Sequence, residues 1–230
     1  MPRPKTHDDA LRRRLLERAG ELLSTEGPAA VSLRKIATDV NTSTTAVYSL
    51  FGGKPALLEA LYDEAFNRFG AHLTAVPVTD DPAEDLVQIG LAYRRSALAD
   101  PQFYSVLYSK VVEPTKAMSR AAGRTFAPVI GTVRRAIEQQ VFLNEDPEQI
   151  AMSMWGIAHG LVSLELNGNL PPGIDAQATY ELALRAHGRG WLSHQREQRN
   201  PGRRPPRNLP GPAELSGPDS PSTSRPRPGP

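Results

Sequence analysis

SLRKIATDVNTSTTAVYSLFGGKP, residues 32–55, holds two short helical patterns joined by a tight turn. Ser32 has the chemistry of an N-cap for a helix through Val40 that turns Leu33, Ile36, Ala37 and Val40 inward. Asn41-Thr42 makes the turn, because asparagine accepts the left-handed backbone more readily than other side-chain-bearing residues. Ser43 caps a second helix that runs to about Leu50, and Gly52-Gly53 breaks it. Lys54-Pro55 then opens another helix, where proline suits the first turn.

Working outward, Leu11, Leu15, Ala19, Leu22 and Leu23 recur at helical spacing before a Gly27-Pro28 stop. On the other side, Leu57, Leu58, Leu61, Ala65 and Phe69 form a buried stripe. Two short helices around a tight turn, the second polar at its start, form the helix-turn-helix pattern. The second helix of that motif enters the major groove by its N-terminal residues, here Ser43, Thr44 and Thr45. Small hydroxyl groups suit base edges, thymine methyls and phosphates. Tyr48 follows one turn later with a phosphate-reaching hydroxyl. Lys54 adds charge at a helix start, and Arg34 lies early in the preceding helix. No Arg, Gln or Asn lies between Ser43 and Leu50, so specificity is expected from thymine methyls, Arg34 and DNA shape. Arg12, Arg13 and Arg14 read as a solvated helix face.

The chain has 230 residues, 39% of them hydrophobic, enough for a core, and a net charge of only +2. That charge excludes a nucleic-acid-coating protein and makes the position of charge decisive. There are no cysteines, which excludes disulfides, thiolate catalysis and Cys-ligated metal. No nucleotide-binding glycine loop or metal spacing is present and the histidines are scattered, so neither an enzyme, a cofactor nor a metal site is expected. No apolar run approaches the roughly 18–20 residues of a membrane span, and no signal-peptide core opens the chain. A cytoplasmic protein with no membrane partner is expected.

Four zones are expected: a basic arm at 1–7, the helix-turn-helix at 8–54, a helical domain at 55–195 and a tail at 196–230. Of the 22 prolines, 10 fall between Glu197 and Pro230, and that tail is too poor in apolar residues to offset its ordering entropy. Period-two alternation is absent, so the fold class is all-α.

The remaining helices are expected at about Pro82–Leu98, from Pro101, at Lys116–Val141 with an internal Pro128, at Pro147–Asn167 and at Asp175–Ser193. The third of these turns Ala122, Phe126, Val129, Val133 and Ile137 inward. In the fourth, Ile150, Met154, Ile157, Leu161 and Leu164 line one face and Met152, Trp155, His159, Val162 and Leu166 another. A helix apolar nearly all round is buried on both sides, and here the second side calls for a partner. The last two helices of two copies suit a four-helix dimer interface. Tyr93, Phe103, Tyr104, Tyr108, Phe126, Ile130, Met154, Trp155 and His159 are candidates to line a mostly apolar pocket for a small hydrophobic effector. Arg94 and Arg95 read as a solvated face.

Residues 15–61 resemble the TetR-family DNA-binding domain. Leu15-Leu16, Ala19, Leu22-Leu23, Gly27, Ser32, Ile36-Ala37, Ser43, Tyr48, Phe51, Lys54, Leu57 and Leu61 stand at that family's spacing without a gap. Asn41-Thr42 replaces the Gly-Val often found in the turn, and Leu50 stands where a polar or aromatic residue is often seen. Trp155-Gly156-Ile157-Ala158-His159-Gly160 is similar to a Trp–His–Gly signature of one subset of the family's C-terminal domains. The resemblance implies a homodimer on palindromic double-stranded DNA, with Arg34, Ser43, Thr44, Thr45, Tyr48 and Lys54 facing the duplex. It also implies a repressor that its effector releases. The helix from Lys54 to Phe69, which joins the reading head to the core, is the expected conduit between the two sites. A regulator without small-molecule control, or an activator, are the alternatives.

Overall fold

The structure is a computed structural model, and it describes residues 5–108 and 115–193. The proline-rich tail and the first four residues of the basic arm lie outside the described residues. Nine helices are described: α1 (Lys5–Glu26), α2 (Leu33–Asp39), α3 (Thr44–Phe51), α4 (Lys54–Thr74), α5 (Pro82–Ala99), α6 (Pro101–Tyr108), α7 (Lys116–Glu138), α8 (Pro147–Leu166) and α9 (Ala176–Gly190). No strand occurs among the described residues, and the one isolated bridge pairs Phe142 with Leu192. The fold is all-α. None of the described helices is long and apolar enough to cross a membrane.

The expected local chemistry is largely present. Asn41 has φ 57° and Gly52 φ 77°, so both take the left-handed conformation that ends α2 and α3. Ser43 Oγ accepts the Ala46 amide at 3.1 Å. Ser32 holds the N-cap position of α2, but its side chain makes no capping bond. Asp81, Asp146 and Asp175 cap α5, α8 and α9 through their carboxylates. The helix α1 starts at Lys5, so the end of the basic arm is helical. The helix α7 stops at Glu138, earlier than Val141, because Gln140 at φ 57° turns the chain back.

Two apolar cores share α4. The first joins α1, α2 and α3 to Leu57, Leu58, Leu61, Tyr62 and Ala65 of α4, and recruits Phe103 and Val106 of α6 and Met118 of α7. The second begins at Phe69 and Leu73 and holds α5, α7, α8 and α9 together. The change of core therefore falls inside α4, beyond residue 54, because one long helix serves both sides. We call these the head and the body.

At the centre of the body, α5 packs against α4, α6, α7, α8 and α9. Gly90 lets α9 approach closely: a Cβ there would stand 2.6 Å from Leu184 Cδ1. Tyr180 of α9 donates its hydroxyl to the Gly90 carbonyl at 2.9 Å. Three charged residues of α5 tie it to its neighbours: Asp85 to Arg135 of α7, Glu84 to Arg185 of α9, and Arg94 to Glu165 of α8. Arg94 is thus no solvated residue, since only 14% of its side chain is exposed and it binds Glu165 through two nitrogens. Burial opposes the Asp85 charge, but two bonds from Thr79 and the Arg135 partner outweigh it and hold the carboxyl below its ordinary range.

The faces of α7 and α8 differ from the expected ones. On α7, Val129 and Val133 are buried with Met118, Ala121, Thr132 and Ala136, while Ala122, Phe126 and Ile137 are only half-buried. On α8 the inward stripe is Ile150, Ala151, Met154, Ala158 and Val162. Ile157 and Leu161 are half-buried, and Met152 and Leu164 are 53% and 43% exposed. Alanines 151 and 158 do the close packing, so the true stripe runs at four-residue steps through small side chains that apolar counting passes over.

Candidate nucleic-acid interface and effector cleft

The α2–turn–α3 unit is anchored by Val47 and Phe51, both buried in the head. This points Thr44, Thr45, Tyr48 and Ser49 outward, with Tyr48 55% exposed. Ser43 is exposed while its oxygen caps α3, and Arg34 is exposed on α2. Lys54 Nζ donates to the Pro28 carbonyl at 3.1 Å, tying the start of α4 to the loop before α2. The arginine cluster is partly spent on the head itself. Arg14 donates to the Val40 carbonyl at 2.5 Å, and the Arg12 guanidinium lies 5.3 Å from the Phe51 ring centre. Arg13 is exposed. Ser49 shares the outward face of α3 beside Tyr48, a position that the capping and turn chemistry of the sequence does not mark.

A cleft of about 470 Å³ opens between the head and the body. Its lining runs from Ser24 of α1 through Pro101, Gln102, Tyr104, Ser105 and Tyr108 of α6 to His159, Ser163 and Leu166 of α8, with Asn167 beyond. Three of the nine pocket candidates, Tyr104, Tyr108 and His159, line this cleft. Tyr93, Met154 and Trp155 border a separate apolar void of about 30 Å³, too small for an effector. Phe126 and Ile130 are half-buried beside the body's core. Phe103 packs into the head, under the Arg68 guanidinium at 4.1 Å. The cleft's polar residues Ser24, Gln102, Ser105, Ser163 and Asn167 are not among the candidates that apolar patterning marks. One signal was available: His159, Ser163 and Asn167 stand at four-residue steps, a polar stripe on an apolar helix.

Aromatic and imidazole groups form one hydrogen-bonded cluster at the cleft. Tyr104 Oη lies 2.8 Å from His159 Nδ1. Tyr93 Oη lies 3.0 Å from Tyr104 Oη, 2.7 Å from Tyr108 Oη and 3.3 Å from His159 Nδ1. Burial pushes all three phenols up, so each keeps its proton. Burial pushes the His159 imidazole down, which favours the neutral ring. The Trp155 ring stacks on His159 at 5.5 Å, and Tyr108 lies 4.2 Å from it on centroids. No group of three or more potential metal ligands occurs among the described residues.

Arg68 of α4 ties head to body. It pairs with Glu17 of α1 at 3.6 Å, Glu64 of α4 at 2.7 Å and Asp100 between α5 and α6 at 3.3 Å. These bonds and the Phe103 ring place four segments around one guanidinium.

Two surfaces of the protomer are exposed and apolar. On α8, Met152, Gly156, Gly160 and Leu164 stand at four-residue steps on the outside. On α9, Ala178, Leu182 and Ala186 do the same, with Leu182 63% exposed. A Cβ at Gly156 or Gly160 would meet nothing within 4 Å, so packing within the protomer does not explain these glycines.

Residues 15–61 match the family described as bacterial regulatory proteins, tetR family. Residues 86–187 match the tetracyclin repressor-like C-terminal domain. No curated protein matches the sequence significantly. Among solved structures, the chain is similar to a protein of unknown function from Rhodococcus sp. RHA1, with 25% identity and a TM-score of 0.70 over 80% of this chain and 96% of that one. It is similar in fold to a TetR family transcription regulator from Marinobacter aquaeolei VT8, with 20% identity and a TM-score of 0.66 over 83% of this chain and 100% of that one. RolR, solved in complex with resorcinol, shares the fold at 21% identity and a TM-score of 0.53, covering 88% of this chain and 97% of that one.

Proposed function

The chain belongs to the TetR family of transcriptional regulators, and on that premise we propose that it is a homodimeric repressor that a small effector releases from a palindromic operator. The observation that carries the DNA reading is the outward face of α3, with Thr44, Thr45 and Tyr48 exposed behind a buried Val47–Phe51 anchor. Ser43, Arg34 and Lys54 flank it and supply phosphate or base contacts. The exposed stripes of α8 and α9 support the dimer. Two copies packed through them form a four-helix seam, with Gly156 and Gly160 allowing close approach. A two-fold pair then sets two copies of α3 one DNA turn apart.

The effector binds in the cleft between α1, α6 and α8, whose volume suits a drug-sized molecule. An occupant that favours a different spacing of α6 from α1 works through Arg68 on α1 and α4, and so on the separation of the two α3 helices. It releases DNA only if it prefers that arrangement. Selection of duplexes from a random pool tests the reading. The expected product is a palindrome with half-sites about one helical turn apart. Changing Thr44, Tyr48 and Lys54 together to Ala is expected to lower affinity for it about a hundred-fold or more. Asymmetric selected sites, unchanged affinity in that triple variant, or a monomer at working concentration defeats the proposal.

A further inference from the structure

The cleft combines two properties. No Lys, Arg, Asp or Glu lines it among the described residues, and its groups are hydroxyls, amides, aromatic rings and one imidazole. The nearby charge of Arg94 is matched by Glu165 at 2.5 Å. A charged guest would lose water without gaining a counter-charge there.

The cluster's proton inventory narrows the guest further. Each phenol has one proton to give. Tyr104 lies closest to His159 Nδ1, and with the phenol as donor there the neutral ring carries its proton on Nε2. Nε2 reaches Ser163 Oγ only at 3.5 Å, so this donor is weakly engaged at the cleft wall. Tyr93 Oη can donate to Tyr104 or to Tyr108. If it donates to Tyr108, the Tyr108 proton can turn to Tyr104 or to a guest in the cleft. If it donates to Tyr104, Tyr108 donates back and presents lone pairs. One hydroxyl at the cleft wall can therefore give or accept a proton according to what meets it. Such a pair, an ambivalent hydroxyl beside an imidazole N–H, matches a guest hydroxyl, which is itself donor and acceptor.

We propose that the cleft binds an uncharged hydroxylated aromatic molecule, one of whose hydroxyls bonds to Tyr108 Oη and His159 Nε2. This rests on the reading of the cleft as the effector site.

The test uses the full chain and three probes of one shape: 3,5,4′-trihydroxystilbene, stilbene-4-carboxylate and unsubstituted stilbene. Trp155, stacked on His159, reports occupancy by its fluorescence, with calorimetry as a second readout. The trihydroxy probe is expected to bind about ten-fold or more tighter than either of the others. Tyr108→Phe and His159→Phe are each expected to erase most of that preference, read as the ratio of trihydroxystilbene to stilbene affinity within each variant. Equal binding of stilbene and its trihydroxy form, tighter binding of the carboxylate, or a preference that survives both variants overturns the proposal. So does the absence of saturable binding by any probe. Ser105→Trp, which fills the cleft, separates the two levels of the argument. If the plug abolishes binding of a preferred carboxylate, the ligand class is wrong and the cleft stands. If binding is indifferent to the plug, the cleft is not the site.

Discussion

The head and the body are both helical and share α4, yet they are filled in opposite ways. The head's core is aliphatic and aromatic throughout, with Leu15, Leu22, Ile36, Val47, Leu57 and Leu61 fully buried. The body buries Asp85, Ser96 and Thr132 among its apolar residues, runs a chain of phenols through its middle, and borders both the 30 Å³ void and the open cleft. A dry, dense core gives a rigid presentation of α3. A core with polar links and spare volume can settle into more than one arrangement. The contrast fits a division of labour between reading and responding.

The largest test of that contrast is Leu61→Ala. Leu61 is fully buried and packs toward Gly20 and the head's core. A loss of about 2–5 kcal/mol is expected in urea unfolding, because a rigid core collapses little around a cavity. A loss under about 1 kcal/mol would mean that the head adapts as readily as the body. A smaller effect is expected from Gly90→Ala in the body. Its Cβ would meet Leu184 Cδ1 at 2.6 Å, and overpacking of this kind costs about 1–3 kcal/mol. An unchanged Tm would show that α9 shifts freely against α5.

The smallest expected effect is on pH dependence. Burial lowers both His159 and His187 below their ordinary value of 6.5. Each therefore binds fewer protons folded than unfolded once the pH drops past that value. Stability contributed by the body is full above about 6.5 and falls as pH drops from there toward the lower folded values. His159→Gln is expected to flatten the stability slope between pH 6.5 and 5 in denaturant titrations, because no ionisable ring remains at that site. An unaltered slope would assign the dependence to other groups.

The head was legible in the sequence and the body only in outline. Asn41, Ser43 and Gly52 carry backbone geometry in their own chemistry, so the turn and the bounds of α3 follow from three residues. The stripes of α1 and α4 are made of leucine and are read directly. In the body, the inward face of α8 rests on Ala151 and Ala158, which hydrophobic counting weights lightly. The role of Phe103 depends on α6 lying against α1, a contact between distant segments that no local pattern encodes. The cleft's serines and amides carry no periodic signature except the steps from His159 to Asn167. Arg94 looked like surface charge because its partner, Glu165, lies 71 residues away.

Ser24 has a consequence beyond its modest side chain. It belongs to the helix that carries the head, yet it forms a wall of the recess that α8 of the body closes from the other side, with α6 between them. A recess bounded by both sides of a joint works as a caliper: its width is set by the tilt between them. On the proposed function, a duplex that fixed the tilt would also fix the gape, and operator and guest would compete for one angle without sharing an atom.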